Sequence, residues 1–162
     1  MAAPASHPDV RIGHIHLTVA DLDRSLAFYR DLLGFAVMQW YGDSAVFLSA
    51  GGYHHHIGLN TWAGRDATPP EQGHTGLYHF AILYPSRTEL ATTLKRLIAS
   101  KYPLDGASDH GVSEAIYLRD PDGNGVELYR DRPQARWPRN AGGELAMATL
   151  PLDLDGLLAE AR

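Results

Sequence analysis

The chain has 162 residues, 44% of them hydrophobic and 20% charged, with a formal net charge of −5 and no cysteine. That length supports one domain, or two small repeats sharing a core. The lack of cysteine excludes disulfides and thiolate metal sites and fits a cytoplasmic protein; the acidic balance without a basic run excludes a nucleic-acid surface, and no apolar run is long enough to span a membrane.

Residues 1–11 read as a flexible arm without the basic start or apolar core of a signal peptide. Ile12 to Val19 alternates: Ile15, Leu17 and Val19 share one face, and His14, His16 and Thr18 the other, the pattern of a half-buried strand. Asp21 is a helix N-cap. Leu22, Leu26, Tyr29 and Leu33 follow on one helical face, and Gly34 stops the helix. Phe35 to Trp40 and Ser44 to Ser49 are strand-like. Tyr53 to Thr61 alternates again, with Ile57 and Leu59 opposite His54, His56, Gly58 and Asn60. Ala63 to Gly76 is polar and turn-rich, a linker.

Leu77 to Leu83 reads as a buried strand carrying His79. Ser86-Arg-Thr-Glu89 is a capping box opening a helix with Leu90, Leu94, Leu97 and Ile98 as its apolar face, ended by Tyr102-Pro103. A Gly- and Asp-containing loop leads to a hairpin: Ile116 to Arg119 and Val126 to Tyr129 are strands, and Asp120-Pro-Asp-Gly-Asn-Gly125 is turn chemistry. Asp153 to Ala161 is a short amphipathic stretch, either a helix packed on the body or a second subunit, or a frayed terminus.

The two halves share one element order. His14 precedes the cap Asp21 by seven residues, as His79 precedes Ser86, and aligning the closing strands sets Gly58 opposite Glu127. Such βαβββ modules (12–62 and 77–131) cannot close a core alone. Paired, they predict an α+β fold in which a curved mixed sheet surrounds a central metal-binding cavity. Glu127 among apolar strand neighbours either pairs with a surface cation or binds something in that cavity. With His14 and His79 at matched repeat positions, it forms two histidines and one carboxylate with open coordination sites. Taken singly, each histidine could equally be a hydrogen-bonded strand residue.

Gly13-His14-Ile-His-Leu-Thr-Val-Ala-Asp21, Ser25-Leu-Ala-Phe-Tyr29 with Leu33-Gly34-Phe35, His79, and Asp120-Pro-Asp-Gly-Asn-Gly-Val-Glu-Leu-Tyr129 together resemble the vicinal oxygen chelate superfamily of glyoxalases, bleomycin-resistance proteins and extradiol dioxygenases, over about residues 12–131. The resemblance favours His14 over His16 as first ligand, beside His79 and Glu127. Glyoxalase-like members carry a fourth ligand where this chain has Gly58. His55-His56 resembles the histidine pair of ring-cleaving dioxygenases, which implies acid/base work for His56 and a substrate contact for His55. Tyr117 matches their hydrogen-bonding tyrosine, and His110 is a candidate substrate contact. The bland alternatives are a polar lining for His54–His56 and an ordinary strand aromatic at Tyr117.

The resemblance implies an extradiol dioxygenase using Fe(II), alternatively Mn(II), with O2 on a catechol-type aromatic. A glyoxalase-like metalloenzyme and a metal-free aromatic-sequestering protein are the alternatives. The expected protein is cytoplasmic and homodimeric, with one such domain at 12–131 and a C-terminal extension at 132–162.

Overall fold

The computed structural model describes residues 5–71 and 73–162; residues 1–4 of the expected arm and residue 72 of the expected linker lie outside it. The first sheet starts with β1 (Ile15–Thr18), whose Leu17 is buried. Asp21 caps α1 (Leu22–Leu26) from an extended backbone, its carboxylate accepting the Arg24 N–H at 2.8 Å. Over Ala27–Leu32 the helix widens into a π turn, with the Leu33 N–H donating to the Phe28 carbonyl. Consecutive Phe28 and Tyr29 are both buried in this wider turn. Gly34, at φ +90°, ends it as expected.

β2 (Ala36–Tyr41), β3 (Ala45–Ser49) and β4 (Ile57–Asn60) complete a four-stranded sheet of order β1-β4-β3-β2, with β1 parallel to β4. The second half repeats this with β5 (Phe80–Leu83), α2 (Arg87–Ala99), β6 (Gly106–Asp109), β7 (Ser113–Arg119) and β8 (Gly125–Asp131). Beyond them the chain adds β9 (Leu150–Pro151) to the β6 edge and packs α3 (Leu154–Leu158) on α2, giving the order β5-β8-β7-β6-β9. In the capping box the Ser86 hydroxyl accepts the Glu89 N–H at 3.2 Å. Leu90, Leu94 and Leu97 are fully buried along one face of α2, each contributing about 1.5–3 kcal/mol.

The repeat extends to register. Ile15 pairs with Ile57 and Phe80 with Val126. In each half the residue after the first-strand histidine therefore faces the residue before Gly58 or Glu127.

Several expectations change in detail. The strand expected over Leu77–Leu83 begins at Phe80 and alternates between half-buried and exposed; Leu77 and Tyr78 are exposed. His54–His56 lie in the turn before β4 rather than on the strand. The loop ahead of the hairpin contains β6, and the hairpin strands are longer than their apolar runs. Among the described residues no ladder joins β1 to β5, so the expected mixed arrangement is built from two sheets, one per module. Side chains join the halves instead, in a shared apolar core. Among the described residues, no helix is long and apolar enough to cross a membrane.

The most specific of these junctions is polar. Tyr29, fully buried, donates to Asp120 Oδ2 at 2.8 Å, tying the first helix to the β7–β8 turn. Burial and the facing carboxylate both push the Tyr29 phenol far up, so it stays a donor throughout the accessible pH range. Tyr29→Phe removes one charge-assisted bond while Asp120 keeps its other donors. The expected loss is about 1.5–3 kcal/mol, read as a lower urea midpoint at unchanged m-value.

Candidate active site

The β7–β8 hairpin carries two of the candidate site residues, Tyr117 and Glu127. Tyr117 pairs directly with Glu127, which settles their common face, a parity that could not be read across the turn. The Tyr117 hydroxyl lies 3.4 Å from Glu127 Oε1 and 2.6 Å from His110 Nε2. His79, at the mouth of β5, brings Nε2 to 2.9 Å from Glu127 Oε2, with side-chain exposures of 32% and 13%. One continuous set, His110–Tyr117–Glu127–His79, thus spans the second sheet. Burial, then the Glu127 charge, push the Tyr117 phenol up to about 12, keeping it protonated near neutral pH.

A cleft of about 350 Å³ opens on three of these four residues, His79, His110 and Tyr117, and is lined also by Ser108, Arg119 and Thr149. That is large enough for a small molecule. Thr149 comes from the C-terminal extension and Ser108 from β6, neither of which the apolar pattern of the sequence signalled. Gly125 is a third such residue. A Cβ there would collide with the Tyr78 carbonyl oxygen and lie 3.0 Å from His79 Cβ, so only glycine lets the His79 segment approach β8 this closely.

The first half contributes a separate aromatic and histidine-rich face. His14 is exposed, and its ring lies 4.4 Å from that of His55, which in turn lies 5.0 Å from the Phe47 ring. His54 and His55 approach Nδ1 to Nδ1 at 2.8 Å. Partial burial, with His14 and His54 close by, lowers the His55 pKa and favours a neutral ring. His56 turns towards the β3–β4 connection, where its Nδ1 accepts the Ala50 N–H at 3.3 Å and lies 3.0 Å from Ser49 Oγ. A neutral His56 ring with Nδ1 as acceptor carries its hydrogen on Nε2. His16 stacks over Gly58, where a Cβ would lie 2.9 Å from its ring. The ring occupies the space a fourth side-chain ligand would need.

The donor set of a metal site is therefore brought together in part. His79 and Glu127, with Nε2 and Oε2 at 2.9 Å, are the two side chains of this set that would hold an ion together. His14 does not join them: among the described residues no three His, Cys, Asp or Glu side chains form a group able to hold a metal ion.

The fold and this site define a class. A family model described as the glyoxalase/bleomycin resistance protein/dioxygenase superfamily matches residues 11–128, and the chain belongs to that superfamily. A catechol-2,3-dioxygenase of Bacillus subtilis (strain 168) is 45% identical over 155 residues, covering 96% of this chain and 53% of that protein. Biphenyl-2,3-diol 1,2-dioxygenase 3 of Rhodococcus globerulus is 30% identical over 125 residues, covering 75% of this chain and 63% of that one. The chain thus spans between about half and under two thirds of the length of these curated relatives. Among solved structures, a glyoxalase/dioxygenase from Nostoc punctiforme matches with a TM-score of 0.66 at 18% identity, covering 82% of this chain and 100% of that one. A lactoylglutathione lyase from Agrobacterium tumefaciens matches with a TM-score of 0.58 at 27% identity, covering 76% and 96%.

Gly125→Ala tests the close approach that positions His79. The variant should lose about 1–3 kcal/mol in urea denaturation, and the His79 imidazole resonances should shift. Parental stability with unmoved His79 resonances would show that Gly125 does not set the His79 position.

Proposed function

We propose that the chain is a metal-dependent extradiol-type dioxygenase unit, opening a catechol-type aromatic ring with O2 beside, rather than between, its two hydroxyls. The carrying observation is the His79–Glu127 pair at 2.9 Å, with His79, Tyr117 and His110 lining one cleft. The names of the 45% and 30% identical relatives support the substrate class. His79 and Glu127 would hold Fe(II), alternatively Mn(II), with His14 completing the set once its ring leaves His55. Such an ion, with open positions, lowers the pKa of a chelating phenol and holds O2 beside it.

The remaining roles belong to the chain's own side chains. His55 and Phe47 supply an aromatic wall against which a planar ring can lie. His56 carries its hydrogen on Nε2 and would donate a hydrogen bond from there to negative charge developing on oxygen. Tyr117, held protonated with its hydrogen on His110 Nε2, would present its oxygen lone pairs to a substrate hydroxyl. The glyoxalase-like alternative calls for a fourth ligand on β4. Gly58 has no side chain, and the His16 ring fills the space where one would be, which favours a site left open for a chelating substrate and O2.

Anaerobic loading with Fe(II) or Mn(II), then air and a panel of catechols, tests the reaction through O2 uptake coupled to a yellow ring-fission product. Metal bound without uptake on any catechol would point away from ring cleavage. Glu127→Ala and His79→Ala should each lose stoichiometric metal and more than about 100-fold of turnover, since even outer partners of metal ligands cost 10–100-fold. Their circular dichroism should be unchanged. Unaltered metal content in either variant would remove that residue from the ligand set. His56→Ala should keep the metal and lose about 10²–10⁴-fold in kcat; loss of the metal itself would make His56 a ligand instead.

A further inference from the structure

The C-terminal extension does more than cover the sheet edge. From Arg132 onward it is fastened at two ends. At one end Arg132 bonds Asp109 through both guanidinium nitrogens, Nη2 to Oδ2 at 2.7 Å, and also reaches the buried Glu114 at 3.2 Å. This pairing holds the Asp109 carboxyl below the usual carboxylate range. Trp137 Nε1 donates to the Arg132 carbonyl at 2.8 Å, and Pro138 packs so tightly on Gly111 that a Cβ there would lie 2.8 Å away. At the other end Leu157 is fully buried in the core, and Arg87 Nη1 donates to the Gly156 carbonyl at 3.1 Å. Between these anchors the chain runs antiparallel to β6, with Asp109 opposite Leu150 and Ser108 opposite Pro151.

Where this strand meets the site, Ala148 and His110 exchange two bonds. The Ala148 N–H donates to the His110 carbonyl at 3.1 Å, and the Ala148 carbonyl lies 2.7 Å from His110 Nδ1. A carbonyl oxygen only accepts, so Nδ1 must carry the hydrogen. In a neutral ring Nε2 is then a bare lone pair, and the Tyr117 hydroxyl 2.6 Å away must donate to it. The 3.4 Å contact between that hydroxyl and Glu127 is too long to compete for the same hydrogen.

We infer that the Ala148 main-chain carbonyl is a positioning group of the active site, fixing His110 in the Nδ1–H tautomer so that its bare Nε2 holds the Tyr117 hydroxyl against the cleft. The extension thereby sets the direction of the hydrogen-bond chain on the second sheet, as the partner of a second ring nitrogen does in other histidine sites. This rests on the proposed function only in calling the cleft an active site; the tautomer itself is a property of the metal-free chain.

Long-range proton–nitrogen correlation spectra of the metal-free chain, at about pH 8.5 and so well above the ordinary histidine range, read the tautomer directly. Resonances are assigned by their loss in His110→Gln. The expected pattern is a protonated-type shift at Nδ1 and a bare-type shift at Nε2, retained unchanged in Tyr117→Phe because the carbonyl and not the phenol sets it. A hydrogen on Nε2, an average over both tautomers, or a switch of tautomer in Tyr117→Phe would overturn the assignment. The readout involves neither metal nor turnover. A failed catechol assay leaves this result standing, and a wrong tautomer sinks the inference even in an active dioxygenase.

Discussion

A single buried carboxylate, that of Asp120, holds the two halves of this chain in a common geometry. At 4% exposure it would be costly to bury unpaired. It accepts from the Tyr29 hydroxyl at 2.8 Å, from the main-chain N–H groups of Asp122 and Asn124 at 3.0 and 2.8 Å, and from Asn124 Nδ2 at 2.9 Å. Three of these donors belong to its own turn and one to the helix of the other half. The same group therefore shapes the β7–β8 turn and docks it on the first half. Asp122 adds bonds to Arg24 and to the Ala20 N–H beside the first helix. The turn in turn fixes the register that sets Tyr117 opposite Glu127. The geometry of the site is thus decided some distance from it, at the point where the halves meet.

The equivalence of the halves in register makes their divergence informative. In the first, His16 pairs with Gly58 and its ring covers the glycine; in the second, Ala81 pairs with Glu127 and leaves room for the carboxylate. Ring over glycine and acid over alanine are two ways of filling the same paired position. Only the second leaves a charged donor within reach of the first-strand histidine. One half has therefore become an aromatic wall and the other carries the charge.

Much of this was legible in the sequence because it rests on local chemistry. The caps at Asp21 and Ser86, the stop at Gly34, the apolar face of α2 and the turn at Asp120 are each decided by residues within a few positions of one another. What was not legible depends on long-range main-chain pairing or on packing. β6 is Gly106-Ala-Ser-Asp109, without a β-branched or aromatic residue, and it is a strand only because β7 and β9 flank it. β9 contains Pro151 and reads as a loop. The π turn inside the first helix breaks the regular spacing that would have put Phe28 outside. The position of His56 depends on such pairing too: one residue before β4, its N–H donates to the Leu48 carbonyl and its carbonyl accepts the Ile15 N–H. The pairing of His79 with Glu127 followed from the repeat, whereas the contact of His14 with His55 did not: both rings are on chain segments outside the ladders, where the period-two rule has no hold.

Two histidines, one in each half, meet main-chain groups at Nδ1 and are wired in opposite senses. Ala50 presents an N–H to His56 Nδ1, which puts the His56 hydrogen on Nε2. Ala148 presents a carbonyl to His110 Nδ1, which leaves His110 Nε2 bare. Neither alanine has a side chain that could signal such a role, and both directions are set by how the chain turns at the end of a strand. One ring is thereby left with a hydrogen to give, and the other receives one, from the Tyr117 hydroxyl. Here that division follows from which face of the peptide bond each ring meets.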